Sequence, residues 1–207
     1  MRVIGLMCKA PRPGFAKTRL AATLGNARAA ALAAAFLADS AALAASLGPA
    51  TAFFAPDDAA DEISAWLPPG MARQPQGQGD LGARMAAAFE HLFGQGGPAL
   101  LMGTDSPDLP PALLEECLEA LSRHDAAFIP ALDGGYCAVA LRGATPSLFR
   151  DIPWSSDRTL AATLAAGRAA GLRLHTTSPW HDVDEAADLA LLRLEAAPHT
   201  RAAMARP

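Results

Sequence analysis

The sequence of 207 residues predicts a single α/β domain with a mainly parallel β-sheet and helices on both faces. Short apolar runs alternate with helical segments of ten or more residues, which is typical of βαβ units. Hydrophobic residues make up 51% and charged residues 18% of the chain, enough apolar surface for a large buried core. The connection 133–135 is too short for a crossover helix, so one antiparallel strand is also expected.

Strands are expected where short apolar runs are bounded by Gly, Pro or polar residues. These runs are 2–7, 50–55, 98–102, 126–132, 136–141 and 172–177. The Gln/Gly-rich stretch 74–80 is too polar for a strand and is read as a loop. Ligands bind at the carboxyl ends of strands in such sheets, so the polar segments after residues 7, 102, 132 and 177 are expected to converge.

Helices are expected between these strands, with Gly or Pro at several of their ends. They cover an Ala-rich segment from the end of the first loop to about residue 47, and then 57–67, 81–93, 110–123, 157–170 and 183–195. The domain is therefore predicted over residues 1–197, and residues 198–207 are expected to form a frayed tail.

Charge and cysteine usage exclude several classes of function. The net charge of −4 and a pI of about 5.7 argue against nucleic-acid binding, so nucleotides are expected only as small molecules. Cys8, Cys117 and Cys137 lie far apart and are expected to be reduced thiols of a cytoplasmic protein. The Ala-rich stretch 27–47 is interrupted by Arg28, Asp39 and Ser40, so no membrane span is predicted.

The first loop, residues 9–20, is a candidate phosphate site. Pro13 and Gly14 shape the loop, and Lys17 and Arg19 open the following helix. Two cations at a helix N-terminus are unfavourable unless an anion binds there, which suggests a phosphate group. The alternative is two solvated surface cations. The spacing does not match a P-loop, which requires glycines at other positions.

Asp105 follows an apolar strand within the segment Gly103-Thr104-Asp105-Ser106-Pro107. A carboxylate held at the end of a buried strand is a suitable oxygen ligand for Mg²⁺ or Mn²⁺. The alternative is a turn that caps the helix expected to begin at residue 110, and Asp108 is better placed for that capping role.

The segment His181-Asp182-Val183-Asp184-Glu185 supplies a second pair of carboxylates. Asp182 or Asp184 could cap the expected last helix, because Asp is a favoured N-cap residue. Alternatively, one of them could bind the same metal ion as Asp105, because two carboxylates with substrate phosphates and waters form a usual magnesium site. The spacing leaves open which of the two binds.

Three further segments could contact the substrates. Asp133-Gly134-Gly135-Tyr136 has the composition of a tight turn, and its glycines could also let an acceptor approach the backbone. Trp154 and Ser155 could shape the acceptor side or simply pack. The predicted nucleotide-binding set comprises Lys9, Pro13, Gly14, Lys17, Arg19, Gln78, Gly79, Arg84 and Thr104.

Six motifs occur in order from residue 1 to about residue 192: KAPRPGFAKTRL, QGDLGARM, GTDSPDLP, DGGYCAVAL, PWSS and DVDEAADL. Together they resemble the GT-A-like bacterial nucleotide-diphospho-sugar transferases of unknown specificity, a group described as glycosyltransferases, including in arsenosugar biosynthesis. The chain is similar, more distantly, to molybdenum-cofactor nucleotidyltransferases and phospholactate guanylyltransferase.

The resemblance implies a Rossmann-like GT-A fold in which Lys17 and Arg19 bind phosphate. It also implies that Asp105 and Asp184 are the metal-binding carboxylates. The chain departs from the nucleotidyltransferases in its first loop, where Pro-Arg-Pro-Gly replaces their glycine-rich sequence. This difference favours glycosyl transfer.

The sequence thus predicts a metal-dependent transferase that moves a sugar from a nucleotide-diphospho-sugar to a small-molecule acceptor. Lys17 and Arg19, together with Mg²⁺ or Mn²⁺ held by Asp105 and Asp184, are expected to stabilise the charge on the departing phosphate, so Lys17, Arg19 and Asp105 are the predicted catalytic residues. One alternative is a nucleotidyltransferase that joins an NTP to a phosphorylated small molecule and releases pyrophosphate. Another is a non-catalytic nucleotide-binding module.

Overall fold

The computed structural model describes residues 2–205, which form a mixed sheet of seven strands covered by helices on both faces. The strands are β1 Val3–Lys9, β2 Ala50–Ala55, β3 Ala72–Pro75, β4 Ala99–Met102, β5 Ala126–Pro130, β6 Tyr136–Leu141 and β7 Leu174–Thr176. Their spatial order is β3-β2-β1-β4-β6-β5-β7. Strand β6 pairs antiparallel with β4 and β5, and the other pairings are parallel, so the predicted fold class is confirmed.

The helices cover both faces of this sheet and build a core on each. They are α1 Thr18–Leu24, α2 Asn26–Leu47, α3 Ala60–Ser64, α4 Leu81–Gly94, α5 Pro111–Ala120, α6 Thr159–Ala169 and α7 Pro198–Met204. Short 3₁₀ helices cover Pro146–Phe149 and Ala186–Leu191. Alternate residues of β1 serve the two cores: Ile4 and Leu6 pack with α2 and α5, whereas Val3 packs on the side of α4.

The Ala-rich segment forms two helices, where the sequence predicted one. Gly25 has φ 81°, a backbone conformation that favours glycine, and it separates α1 from α2. Helix α2 is long and apolar enough to cross a membrane, but 67% of its most apolar window is buried in the protein. This burial is typical of a core helix.

Strand β3 lies at the edge of the sheet, where the sequence predicted a polar loop. Its residues Ala72–Pro75 are exposed and pair with β2 alone, so backbone hydrogen bonds rather than apolar burial hold the strand in place. Gln74 and Pro75 of the Gln/Gly-rich stretch belong to it. An edge strand needs no apolar face, and for this reason the hydrophobic pattern missed it.

The expected last helix over 183–195 is wrong. Residues 182–184 have no regular secondary structure, and Glu185 has extended backbone. The 3₁₀ helix Ala186–Leu191 follows, and its first turn is closed by a capping box between Glu185 and Asp188. Val183 is fully buried beside Leu20 and Phe36. Burial of this one side chain between two acidic neighbours holds the segment in place without a helix.

The expected frayed tail is also wrong over residues 198–205, whereas residues 206–207 lie outside the described residues. Helix α7 packs on α2, and the buried carboxylate of Asp39 accepts hydrogen bonds from the first turn of α7. The donors are His199 N at 3.0 Å, Thr200 N at 2.8 Å and Thr200 Oγ1 at 2.7 Å. Asp39 thus satisfies N–H groups that a helix cannot satisfy within itself.

Replacing Asp39 by Ala should lower the free energy of unfolding by about 1–3 kcal/mol, because the buried N–H of Thr200 and the part-buried N–H of His199 lose their acceptor. Urea denaturation measures this change. The control is Glu90→Ala at an exposed position of α4, which should change stability by less than about 0.5 kcal/mol. Equal effects of the two substitutions would mean that Asp39 does not hold α7.

Candidate active site

A cleft of about 890 Å³ lies at the carboxyl ends of the parallel strands and the amino end of β6. The predicted site residues that line it are Lys9, Lys17, Arg19, Gly79, Arg84, Thr104, Asp105, Asp133, Gly135, Tyr136, Trp154, Ser155, Asp182 and Asp184. Pro13, Gly14, Gln78 and Gly134 are not part of this lining. The sheet therefore brings the predicted basic loop and the predicted acidic segments into one cleft.

Lys17 joins the basic loop to both acidic segments. Its side chain is only 9% exposed, and Nζ donates a 2.6 Å hydrogen bond to the carbonyl oxygen of Val183. The same Nζ contacts the carboxylate of Asp105 and lies 3.4 Å from Asp184 Oδ1. These three acceptors match the three N–H donors of an ammonium group.

The backbone of Lys17 is in the left-handed region, with φ 52° and ψ 48°, immediately before α1. A non-glycine residue in this conformation is strained, and such residues concentrate at functional sites. Helix α1 has only seven residues, so the side chains of Lys17 and Arg19 carry the positive charge here rather than a helix dipole.

The guanidinium of Arg19 is less constrained than the ammonium group of Lys17. Its Nη1 lies 3.4 Å from Asp184 Oδ2, but its side chain is 68% exposed. An exposed ion pair contributes little stability, so the guanidinium can exchange its carboxylate partner for a ligand at small cost. Arg19 is therefore better placed than Lys17 to contact an anion that enters from solvent.

Asp133, Asp182 and Asp184 form an acidic cluster, each with a carboxylate oxygen within 4.8 Å of the other two. The pKa of Asp182 is raised to about 6, first by burial and then by the charges of Asp133 and Asp184. Asp105 also raises this pKa, but more weakly. Sequence reasoning placed Asp133 on the acceptor side, and only the tertiary structure brings it next to the late pair.

The turn that carries Asp133 depends on Gly134. Asp133 Oδ1 accepts a 2.7 Å hydrogen bond from Gly135 N, which closes a local turn. Gly134 has φ 92°, and a Cβ atom there would meet the carbonyl oxygen of Asp157 at 2.1 Å. The Asp157 backbone thus lies directly against Gly134, which explains why a glycine is needed in this turn.

One wall of the cleft is built from packed aromatic rings. The Tyr136 ring contacts Phe128 and Trp154, and its hydroxyl lies 3.8 Å from Met85 Sδ. Burial raises the pKa of Tyr136 above its usual range, so this hydroxyl stays protonated. Ser155 next to Trp154 has φ 57°, a second strained residue in the lining.

The segment before α4 is more structural than the sequence suggested. Asp80 caps α4 by accepting a 2.8 Å hydrogen bond from Ala83 N, and Arg84 Nε donates to Gly79 O at 3.0 Å. Gln78 turns away from the cleft to Asp57, with its Nε2 3.3 Å from Oδ2. Of the two predicted side chains here, Arg84 lines the cleft and Gln78 does not.

Sequence reasoning missed Gln76, which is buried and lines the cleft. Its Nε2 donates to the carbonyl oxygens of Cys8 at 2.9 Å and Phe53 at 3.0 Å, so it links the ends of β1 and β2. Gln76 follows the carboxyl end of β3, a position that would have predicted a place in the cleft if the sequence had revealed this edge strand. Asp157, three residues after Trp154, lines the cleft as well.

Asp108 does not cap α5, the alternative role that the sequence left open for this segment. The residue before α5 is Pro110, which makes no side-chain cap hydrogen bond. The Asp108 carboxylate is instead buried and accepts hydrogen bonds from Trp180 Nε1 and Arg193 N. It therefore binds the segment that leads into the acidic cluster.

The family model for uncharacterized proteins conserved in bacteria (DUF2064) matches residues 32–156, more than half of the chain. The chain belongs to this family. No curated protein matches the chain.

Solved structures agree with the predicted fold. A candidate nucleotide-diphospho-sugar transferase from Desulfovibrio desulfuricans G20 is 33% identical over 99% of this chain and 95% of that chain, with a TM-score of 0.89. The DUF2064 chain is also similar to the manganese complex of Rv0371C from Mycobacterium tuberculosis H37Rv, at 15% identity, 93% and 98% coverage and a TM-score of 0.59. It is similar as well to a nucleotidyl transferase from Methanothermobacter thermautotrophicus, at 16% identity over 98% of each chain and a TM-score of 0.60. The last two likenesses show the fold alone.

The raised pKa of Asp182 should make the metal-free DUF2064 protein less stable as pH rises from about 4 to about 6. In this window the folded state binds more protons at Asp182 than the unfolded state, so the free energy of unfolding falls with increasing pH. Asp182→Asn removes this dependence, and the variant should gain stability relative to the wild type across the window. Urea denaturation in EDTA at several pH values measures the difference, and a difference independent of pH would contradict the prediction.

Gly134→Ala should destabilise the DUF2064 protein by more than a positive φ alone explains, because the new Cβ would overlap the Asp157 carbonyl oxygen. Gly96→Ala is the matched control, since Gly96 has φ 90° and nothing within 4 Å of the added atom. The control should cost about 1–2 kcal/mol, and Gly134→Ala should cost distinctly more. Thermal denaturation of both variants tests this, and equal costs would show that the close approach is unimportant.

Proposed function

We propose that this DUF2064 protein is a metal-dependent transferase that moves a sugar from a nucleotide-diphospho-sugar to a small acceptor. The observation that carries the proposal is the meeting of Lys17 and Arg19 with Asp105, Asp182 and Asp184 in one cleft at the carboxyl ends of the strands. A diphosphate and a divalent cation together complement this arrangement of opposite charges.

The acidic cluster suits Mg²⁺ or Mn²⁺ by the chemistry of its donors. Asp133, Asp182 and Asp184 offer three carboxylate oxygens close together, and hard divalent cations prefer oxygen ligands. Burial and mutual repulsion disfavour the ionised form of Asp182, and a cation would relieve both effects. Asp182, Asp184 and Asp133 are thus the proposed ligands. Asp105 borders the cluster and has Lys17 as its direct partner.

The basic residues suit the diphosphate of the donor. Arg19 has an exposed guanidinium that can bind two phosphate oxygens at once. Lys9 and Arg84 line the same cleft and add positive charge. Lys17 is more buried and would act as a fixed positive charge beside the phosphates, because it also holds Asp105 and Val183.

In the proposed reaction an acceptor oxygen attacks the anomeric carbon while the bond to the nucleoside diphosphate breaks. Negative charge then grows on the departing diphosphate. A bound divalent cation supplies charge stabilisation for this leaving group. Lys17 supplies more from a position fixed before the reaction, and Arg19 does so by binding the diphosphate directly. Tyr136 and Trp154 form the wall that orients the acceptor and limits water.

The product formed distinguishes the possible transfers. Purified protein with Mn²⁺ or Mg²⁺ should release a nucleoside diphosphate from one member of a nucleotide-sugar panel when a small acceptor is present. Release of pyrophosphate from an NTP would instead assign nucleotidyl transfer, the reaction named for the archaeal structural relative. Stabilisation by nucleotide without any metal requirement, and without turnover, would indicate a binding module.

Variants test the assigned roles in the same assay. Lys17→Ala should lower kcat by about 10²- to 10³-fold, as expected when one preorganised charge is removed. Asp182→Asn should lower activity and also raise the Mn²⁺ concentration needed for half-maximal rate. Glu90→Gln, which is exposed on α4 away from the cleft, should retain wild-type kinetics. Wild-type turnover in Asp182→Asn would contradict the metal assignment.

A further inference from the structure

A buried carboxylate outside the acidic cluster holds the segment that carries two members of the cluster. The side chain of Asp108 is 0% exposed, and its Oδ2 accepts a 2.9 Å hydrogen bond from Arg193 N. Its Oδ1 accepts a 3.3 Å hydrogen bond from Trp180 Nε1 and lies 3.2 Å from His181 Nε2. A carboxylate removed from water in this way persists only with several donors around it.

Trp180 connects this carboxylate to both parts of the acidic cluster. Its backbone pairs with the chain just before Asp133, because Trp180 N donates to Pro130 O at 2.9 Å and Leu132 N donates to Trp180 O at 3.1 Å. Its ring stacks on the His181 ring, with 4.8 Å between centroids. The guanidinium of Arg193 lies over the Trp180 ring, 4.4 Å from its centroid. Asp182 follows only two residues later. The position of Trp180 therefore affects Asp133 and Asp182 together.

The acidic cluster needs such an anchor, because its carboxylates repel one another. Three oxygens from Asp133, Asp182 and Asp184 lie within 4.8 Å, and each segment would relax outward if it were free. Two contacts from the segment after β4 oppose this relaxation. One is the 2.8 Å hydrogen bond from Val183 N to the Asp105 carbonyl oxygen, and the other is the Asp108 carboxylate.

We propose that Asp108 is a positioning residue that holds Asp133 and Asp182 at the spacing required for a divalent cation. The inference rests on the proposed function, in which the acidic cluster binds Mg²⁺ or Mn²⁺. Asp108 does not contact the cation itself, and it acts through the hydrogen bonds that it accepts from Trp180 Nε1 and Arg193 N. Groups that orient metal ligands in this way typically change metal affinity by about 10- to 100-fold when replaced.

Mn²⁺ alone is the probe, because binding can then be measured without turnover. Isothermal titration of the full chain with Mn²⁺ gives the dissociation constant for the wild type and for Asp108→Asn. Asp125→Asn is the matched control, since the Asp125 carboxylate also accepts from a distant backbone amide, Arg173 N at 2.9 Å. Asp125 precedes the amino end of β5, so it lies at the opposite end of the strands from the cleft.

Asp108→Asn should raise the Mn²⁺ dissociation constant by about 10- to 100-fold, whereas Asp125→Asn should leave it within about 2-fold of the wild type. Urea denaturation of both variants shows whether their losses of stability are similar. Similar losses of stability with different losses of affinity support a positioning role. An equal loss of Mn²⁺ affinity in both variants would overturn it.

A second variant covers the case in which Asp108→Asn does not fold. Trp180→Phe keeps an aromatic ring between His181 and Arg193 but removes the N–H that Asp108 accepts, and should weaken Mn²⁺ binding by about 2- to 10-fold. Unchanged affinity in the folded variants, with tight binding by the wild type, overturns the positioning role alone. A wild-type protein that does not bind Mn²⁺ overturns the proposed metal site and this inference with it.

Discussion

The peptide group of Val183 joins the basic and acidic parts of the cleft. Its N–H donates to the carbonyl oxygen of Asp105 at 2.8 Å, and its own carbonyl oxygen accepts from Lys17 Nζ at 2.6 Å. Its side chain is fully buried against Leu20 and Phe36, so the residue is fixed on every side. Its two neighbours, Asp182 and Asp184, both line the cleft.

This arrangement couples stability and function within the same few contacts. Lys17 brings positive charge to a segment whose carboxylates repel one another. Its ammonium group also donates a hydrogen bond to the Val183 carbonyl oxygen. The strained backbone of Lys17 is maintained by these partners. Helix α7 also supports this segment, because Ala203 and Met204 pack on the same apolar cluster as Val183. Residues far from the chemistry thus support the geometry of the cleft.

Sequence patterns predicted most of the sheet and most of the cleft, for a physical reason in each case. Buried strands are short apolar runs, and polar residues that follow them collect at one edge of a parallel sheet. The patterns failed where local composition and tertiary contacts disagree. Edge strand β3 is polar, and the burial of Val183 holds the 182–184 segment outside a helix. Helix α7 depends on the distant Asp39 as the acceptor for its first N–H groups.

The sequence by itself determined the α/β class, the antiparallel strand β6 and the chemical types present at the strand ends. Each of these follows from local periodicity, from short connections or from residue identity, and needs no knowledge of distant contacts. Only the tertiary structure decided that Asp133 joins Asp182 and Asp184, that Asp108 supports their segment and that Gln78 faces away from the cleft. These outcomes depend on distances between residues far apart in the chain, which the alternation of apolar and polar residues does not encode.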